Sequence, residues 1–326
     1  MPSRAARTKT AMAVGLALGL TALPVLAGCS SAAPAPQAST RPISPVTILA
    51  SPMAPAKYQH LLTAIDEKLA ADTRLLRAAR TPLAVSAAAT KAQNDISADV
   101  SQLQKISAPA ALRAAQAALI SALRDFGTDL GSASTAAGAD QVCAGSSAVA
   151  MLSRSGAAAQ LRSADSGLAT ADPAAPVQMG SFLPPVTADT DRRLANGATV
   201  KRTTGSGLGQ LVIDNGGSTD ALVDLVLGRG HAATMAIYVR ARSSSTTTGI
   251  GDGTYQVYVT SGTDWDSGHH LITRNCYFEK FDKSIPFTTR NLSNETQYTR
   301  ERITLTAVPG GNVTVSQVRP EQFPVS

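Results

Sequence analysis

Gly253-Thr254-Tyr255-Gln256-Val257-Tyr258-Val259-Thr260 alternates residue by residue, with Tyr255, Val257 and Val259 on one face. A period of two marks a strand with one buried side. The same alternation runs through Ala232-Ala233-Thr234-Met235-Ala236-Ile237-Tyr238-Val239-Arg240 and, more briefly, through Leu211-Val212-Ile213. Between and beyond these runs stand turn signals: Asn215-Gly216-Gly217, Gly228-Arg229-Gly230, Asp252-Gly253 and Pro309-Gly310-Gly311. Further strands are expected near 221–227, 271–274, 302–307 and 313–318. Short strands at regular spacing, with no helical pattern between them, predict a β-sandwich over 197–326, a closed barrel being the alternative.

Upstream the pattern changes. From 56 to 171 the chain is rich in Ala, Leu, Gln and Ser, and Leu62, Ile65, Leu69 and Leu76 fall on one helical face. Thr81-Pro82 reads as an N-cap followed by proline at the first helical position. Ile96, Val100, Leu103 and Ile106 form a second apolar face, and Leu112, Leu119, Leu123, Phe126 and Leu130 a third. Residues 127–138 read as a small-residue break. A fourth helix is expected over 140–170, with Val142, Val149, Leu152, Leu161 and Leu168 inward and Gly145, Gly156 and Gly167 weakening it. Four amphipathic segments with short turns predict an antiparallel helical bundle, so the fold class is α+β, multidomain. Residues 172–196, with Pro173, Pro176, Pro184 and Pro185, read as a linker or a strap on a domain surface.

The N-terminus carries an address. Arg4, Arg7 and Lys9 precede an uncharged stretch that ends in Leu26-Ala27-Gly28-Cys29. These are the parts of a secretory signal, assigned to 1–28. The run is interrupted by Pro24 and falls short of the roughly 20 apolar residues of a spanning helix. Its end closely resembles the lipobox of bacterial lipoproteins. That resemblance implies a diacylglyceryl group on Cys29, whose two chains hold a protein stably at a bilayer. The protein is then expected on the extracytoplasmic face of the cell membrane. Residues 29–55, rich in Pro, Ala and Ser, form an extended tether.

Assigning Cys29 to lipid leaves Cys143 and Cys276. In an oxidising compartment an even remainder favours a disulfide, here an inter-domain staple, over two separate buried thiols. Of 29 Lys+Arg and 23 Asp+Glu, three bases and no acids lie in the signal, which leaves 26 against 23, a net +3. No basic cluster interleaved with aromatics remains, which argues against a nucleic-acid partner.

Chemistry-bearing residues are sparse. Glu67 and His60 are the single glutamate and histidine of the helical region, too few for a metal core. Asp264-Trp265-Asp266-Ser267-Gly268-His269-His270 is the densest cluster. Adjacent histidines on a strand point to opposite sides, so no shared metal is expected. The segment reads as a polar turn with Trp265 covering a sheet edge. The competing reading makes Asp264, Trp265 and Asp266 a ligand site, with an exposed indole stacking on a sugar. Gly205-Ser206-Gly207-Leu208-Gly209 fits neither a nucleophile elbow nor a dinucleotide fingerprint, so neither a catalytic residue nor a cofactor is expected.

Gly207-Leu208-Gly209-Gln210-Leu211, Asn215-Gly216, Asp220-Ala221, Asp252-Gly253-Thr254-Tyr255, Gly262-Thr263-Asp264-Trp265-Asp266 and Cys276-Tyr277-Phe278-Glu279-Lys280-Phe281 together resemble a C-terminal domain of uncharacterised actinobacterial lipoproteins and secreted proteins. The resemblance covers 196 to the C-terminus and implies a cell-envelope origin without an activity. The expected function is therefore a non-enzymatic interaction or structural module, docking on an envelope protein or cell-wall glycan. The alternative is a carbohydrate- or small-ligand-binding protein using the Trp265 segment.

Overall fold

Apolar residues three and four apart build the N-terminal part. In the computed structural model Tyr58, Leu62, Ile65, Leu69 and Leu76 line the buried face of α1 (Pro55–Ala78). The structure describes residues 51–188, 190–203, 207–306 and 314–324, so the signal, Cys29 and nearly all of the tether lie outside it. Helix α2 (Pro82–Gln104) starts as its sequence predicts: the Thr81 hydroxyl accepts from Ala84 N–H at 3.2 Å, and Pro82 opens the first turn. It buries Val85, Ala89, Ala92, Ile96, Val100 and Leu103. Each fully buried leucine or isoleucine of such a stripe contributes roughly 1.5–3 kcal/mol over leaving it in water.

Helix α3 (Arg113–Gly138) corrects one expectation. The small residues of 127–138 do not end the helix; they let it run close to α2. A β-carbon on Gly127 would touch Ile96 Cγ2 at 3.4 Å, and one on Gly131 would stand 2.8 Å from Gln93 Nε2. The Ser134 hydroxyl lies 2.8 Å from that of Ser86 in the same seam. The fourth predicted helix is also corrected, because it is two: α4 (Gly145–Ser153) and α5 (Gly156–Ala171). Ser155 breaks them apart and caps α5, its hydroxyl accepting from Ala158 N–H at 3.1 Å. Val142 is inward as expected but extended, upstream of α4.

The proline-bearing stretch that follows runs as a strap. Val177, Met179 and Phe182 are buried in the helical core, and Phe182 meets Phe126 edge-on at 6.0 Å. Asp66 on α1 takes three bonds from it, from Gly180 N–H at 3.0 Å, Phe182 N–H at 3.2 Å and the Ser181 hydroxyl. Asp165 on α5 takes a fourth, from Met179 N–H at 2.7 Å.

The C-terminal part is sheet-rich, so the chain is α+β. Its strands are β1 (Ala198–Arg202), β2 (Gly209–Asn215), β3 (Asp220–Leu227), β4 (Met235–Val239), β5 (Ser243–Ile250) and β6 (Gly253–Asp266). After these come β7 (Leu271–Phe281), β8 (Ile285–Phe287), β9 (Thr289–Asn291), β10 (Thr296–Tyr298), β11 (Arg300–Thr304) and β12 (Val315–Gln317). One sheet has the order β1-β4-β3-β6-β7-β12, with β8 added against β6; a second has the order β11-β2-β5, and β9 pairs with β10. Alternation sorts the side chains into two apolar clusters. Val223, Leu225, Ile237, Val257 and Val259 meet Leu211, Ile213, Ile250 and Ile303 of the smaller sheet. On the opposite face Leu222, Ala236 and Tyr238 pack with Trp265, Ile272 and Cys276.

Val259 and Trp265 are an even number of residues apart, yet they belong to opposite clusters. The register of β6 against β7 shifts between Ser261 and Thr263, and Asp264 has φ +59°, so regular alternation breaks there. The break turns the end of β6 toward the helices. Helices and sheets form a single compact unit.

Candidate functional site

The two parts meet along β7. Residues 140–143 pair with it as a short added strand: Cys143 N–H donates to Thr273 O at 2.8 Å, Cys276 N–H to Asp140 O at 2.8 Å, and Asn275 N–H to Gln141 O at 3.2 Å. Val142 bridges Arg274 in antiparallel register. Cys143 and Cys276 are joined as a disulfide, with Cα atoms 6.2 Å apart, so the pairing expected from cysteine count links helical and sheet parts. The Ser147 hydroxyl of α4 adds a bond to Thr273 O at 2.8 Å.

Residues 190–194 then run beside β6 and β4 as a pair of arginine clamps. Arg192 holds Asp264 by its fork, Nε to Oδ1 at 2.8 Å and Nη2 to Oδ2 at 2.7 Å. Its N–H also reaches Oδ1 at 3.1 Å, and the Thr273 hydroxyl reaches Oδ2 at 2.7 Å. Burial pushes the Asp264 carboxyl upward, but these donors outweigh it and hold it below the usual carboxylate range. Arg193 clamps Asp220 in the same way, with Nε to Oδ2 at 2.7 Å, and Tyr238 OH and Ala241 N–H complete the set. Burial and the neighbouring Asp220 raise the Tyr238 phenol.

These contacts correct the exposed-indole reading. Trp265 lies in β6, not on a loop, and is only 2% exposed. Tyr238 meets it edge-on at 5.4 Å, and His270 stacks over it at 6.4 Å. Its N–H backbone donor is spent on Arg192 O at 2.9 Å. Asp266 is occupied as well: Gly268 N–H donates to Oδ1 at 2.9 Å, and His269 Nδ1 lies 3.0 Å from Oδ2. Burial raises its carboxyl, but the Ser146 hydroxyl, His269 and Gly268 N–H bring it below the ordinary value. Asp264, Trp265 and Asp266 are therefore brought together as cross-links of the junction rather than as a ligand platform. His269 and His270 serve different neighbours, and among the described residues no three His, Cys, Asp or Glu side chains are grouped to hold a metal.

A cavity of about 340 Å³ lies between α4, the strap and the turn from β6 to β7. Four guanidiniums line it: Arg77 from the last turn of α1, Arg154 after α4, Arg192 from the strap and Arg274 from β7. Asp264, Ser146, Ser147, Thr187, Thr190 and His269 share its polar wall, and Val149, Ala150 and the two strap prolines Pro184 and Pro185 its apolar one. Arg154 Nη1 donates to Thr187 O at 3.1 Å and Arg274 Nη2 to Thr190 O at 3.0 Å, which fixes the strap as the cavity's lid edge. None of these arginines stands out in the sequence. Asp191-Arg192-Arg193 in an otherwise Pro- and Ala-rich linker is the one local signal.

The chain matches no family model, no curated protein and no solved structure.

Its own geometry has to carry the chemistry. Among the described residues the hydrogen bonds join no serine hydroxyl to a histidine ring, and Ser147 is committed to Ala144 O and Thr273 O. What the cavity offers is a set of donors around a half-open volume within the usual small-molecule range of about 300–1,000 Å³. No described helix is long and apolar enough to cross a membrane.

Proposed function

We propose that the protein is a membrane-anchored extracytoplasmic lipoprotein whose folded part is a non-enzymatic, small-ligand-binding module of the cell envelope. The lipobox at Leu26-Ala27-Gly28-Cys29 supports the anchor, and the Pro- and Ala-rich segment after it supports a tether. In this reading the helices form a bundle and the two sheets a sandwich around the Val223 and Leu211 cluster. Binding is carried by one observation: the arginine-lined cavity at the junction, between elements that a disulfide and a backbone ladder hold together. A preformed cavity loses little ordering free energy when a ligand enters. In this reading the ligand occupies the space beside the Trp265 segment rather than the segment itself.

Two measurements test this. Cells expressing Cys29→Ser should release the protein from the membrane fraction and fail to incorporate labelled palmitate; retention with label would overturn the anchor. A metabolite library screened by thermal shift should give hits on the wild type that disappear in Ala150→Trp, whose indole fills the cavity. Hits indifferent to that substitution place binding elsewhere.

A further inference from the structure

We propose that the turn between α1 and α2 is a docking surface for an anionic lipid bilayer, a role that goes beyond the cavity reading and stands without it. Charge points to it first. From Thr73 to Asn94 the chain holds Arg74, Arg77, Arg80 and Lys91 and no Asp or Glu. Lys91 is taken up by Asp72 and Asp95, the acids that flank this stretch on either side. Arg74, Arg77 and Arg80 are exposed, and among the described residues none of them makes an ion pair or a side-chain hydrogen bond. The dipole of α1 accounts for a cation in its last turn, where Arg77 stands. Arg74 precedes that turn and Arg80 follows the helix, so the dipole leaves two cations unexplained.

Apolar exposure points the same way. Leu75 is 54% exposed and Leu83 61%. Single exposed leucines need no explanation, but these two share one end of a helix pair. The cross-helix ion pairs of Lys68 with Asp99 and Lys91 with Asp72 set α1 and α2 antiparallel. Leu75 follows the Asp72 pair on α1 and Leu83 precedes it on α2, so both fall at the connected end of the two helices, where the three arginines also lie.

Cations that meet anionic headgroups and leucines that enter the acyl boundary are the two contributions to peripheral bilayer binding. A nucleic acid would leave the leucines without a role, and no aromatic ring lies between 73 and 94 to stack on a base. The contact is weak by itself and gains from any tether that keeps the surface near the bilayer.

The test uses the chain from residue 29 onward with Cys29→Ser, so that neither the signal nor a lipid contributes; all of 49–326, which forms one compact unit, is retained. The probes are vesicles of equal parts phosphatidylglycerol and phosphatidylcholine, and vesicles of phosphatidylcholine alone, sedimented with the protein at low salt. The protein should partition onto the anionic vesicles only, and added salt should release it. Arg74→Gln with Arg80→Gln should weaken partitioning by about fivefold per arginine, and Leu75→Ser with Leu83→Ser by about tenfold. Arg290→Gln, on exposed β9, is the control and should leave it unchanged. Circular dichroism and melting confirm that each variant folds. No binding to either vesicle overturns the proposal and leaves the patch to a protein partner. Equal binding to both vesicles, binding indifferent to either double variant, or an equal loss in Arg290→Gln overturns it as well. The cavity and the Cys29 anchor stand or fall by their own tests.

Discussion

Gly145 lies so close to Leu76 that a β-carbon on it would overlap the Leu76 carbonyl oxygen and stand 2.8 Å from that of Arg77. Its N–H is bonded to Ala79 O at 2.8 Å, so the start of α4 is seated on the end of α1. Arg77 and Ser146, on either side of this contact, both line the cavity.

Gly145→Ala should therefore destabilise, since backbone has to move to admit the methyl group, by about 1–3 kcal/mol. Gly167→Ala is the control: it lies inside α5 with nothing within 4 Å of its added β-carbon. It should stabilise by up to about 1 kcal/mol. Urea unfolding of both variants gives the two signs; a neutral Gly145→Ala would contradict the close approach.

Removing the staple should cost more. The disulfide spans 133 positions, and loops of that order lose about 2–5 kcal/mol when opened. Cys143→Ser with Cys276→Ser should lower the urea midpoint accordingly. Peptide mapping under non-reducing conditions should recover the two cysteines as one linked pair; free thiols would refute the bond.

Trp265 is the chain's single tryptophan, which makes its burial directly visible. Its emission should be blue-shifted and nearly untouched by iodide. Truncating it should act through packing, with Trp265→Ala costing about 3–5 kcal/mol. Strong iodide quenching in the native protein would restore the exposed-indole reading.

Acid should act with opposite signs on two of the buried carboxyls, Asp99 and Asp264. Burial raises Asp99 on α2 above its ordinary value despite the ion pair with Lys68. A raised carboxyl contributes stability that is full below the unfolded value of about 3.9 and is lost as pH rises through the folded value. Asp264 is depressed, so its contribution is present above about 3.9 and is lost as pH falls through its folded value. Stability measured from about pH 7 to about pH 2 should lose part of its slope above pH ~4 in Asp99→Asn and part of its slope below pH ~4 in Asp264→Asn. Unchanged profiles would show that these carboxyls do not sense folding.

Periodicity made most elements legible, and close packing hid the rest. Alternation in 232–240 and 253–260 marks β4 and β6, and the leucine stripes mark α1 and α2. β5 gives no such signal, because SSSTTTGI shows only a run of small hydroxyl residues. The small residues of 127–138 read as a break since sequence does not reveal that a neighbouring helix needs them small. The site was least legible. Trp265 reads as the cover of a polar turn, with an exposed ring as the competing reading, because the irregularity at Asp264, which turns it inward, depends on β7. Arg77, Arg154, Arg192 and Arg274 come from four separate stretches, and only the fold brings them to one wall.

Chains are made from the N-terminus, so the segment 140–143 exists well before the strand it pairs with. Until β7 emerges, its backbone donors and acceptors and the Cys143 thiol have no native partner. The helices can be complete while their point of attachment is still unmade, and the junction cavity can close only after β7 is available. Any machinery that handles the nascent protein meets an open edge and an unpaired thiol side by side.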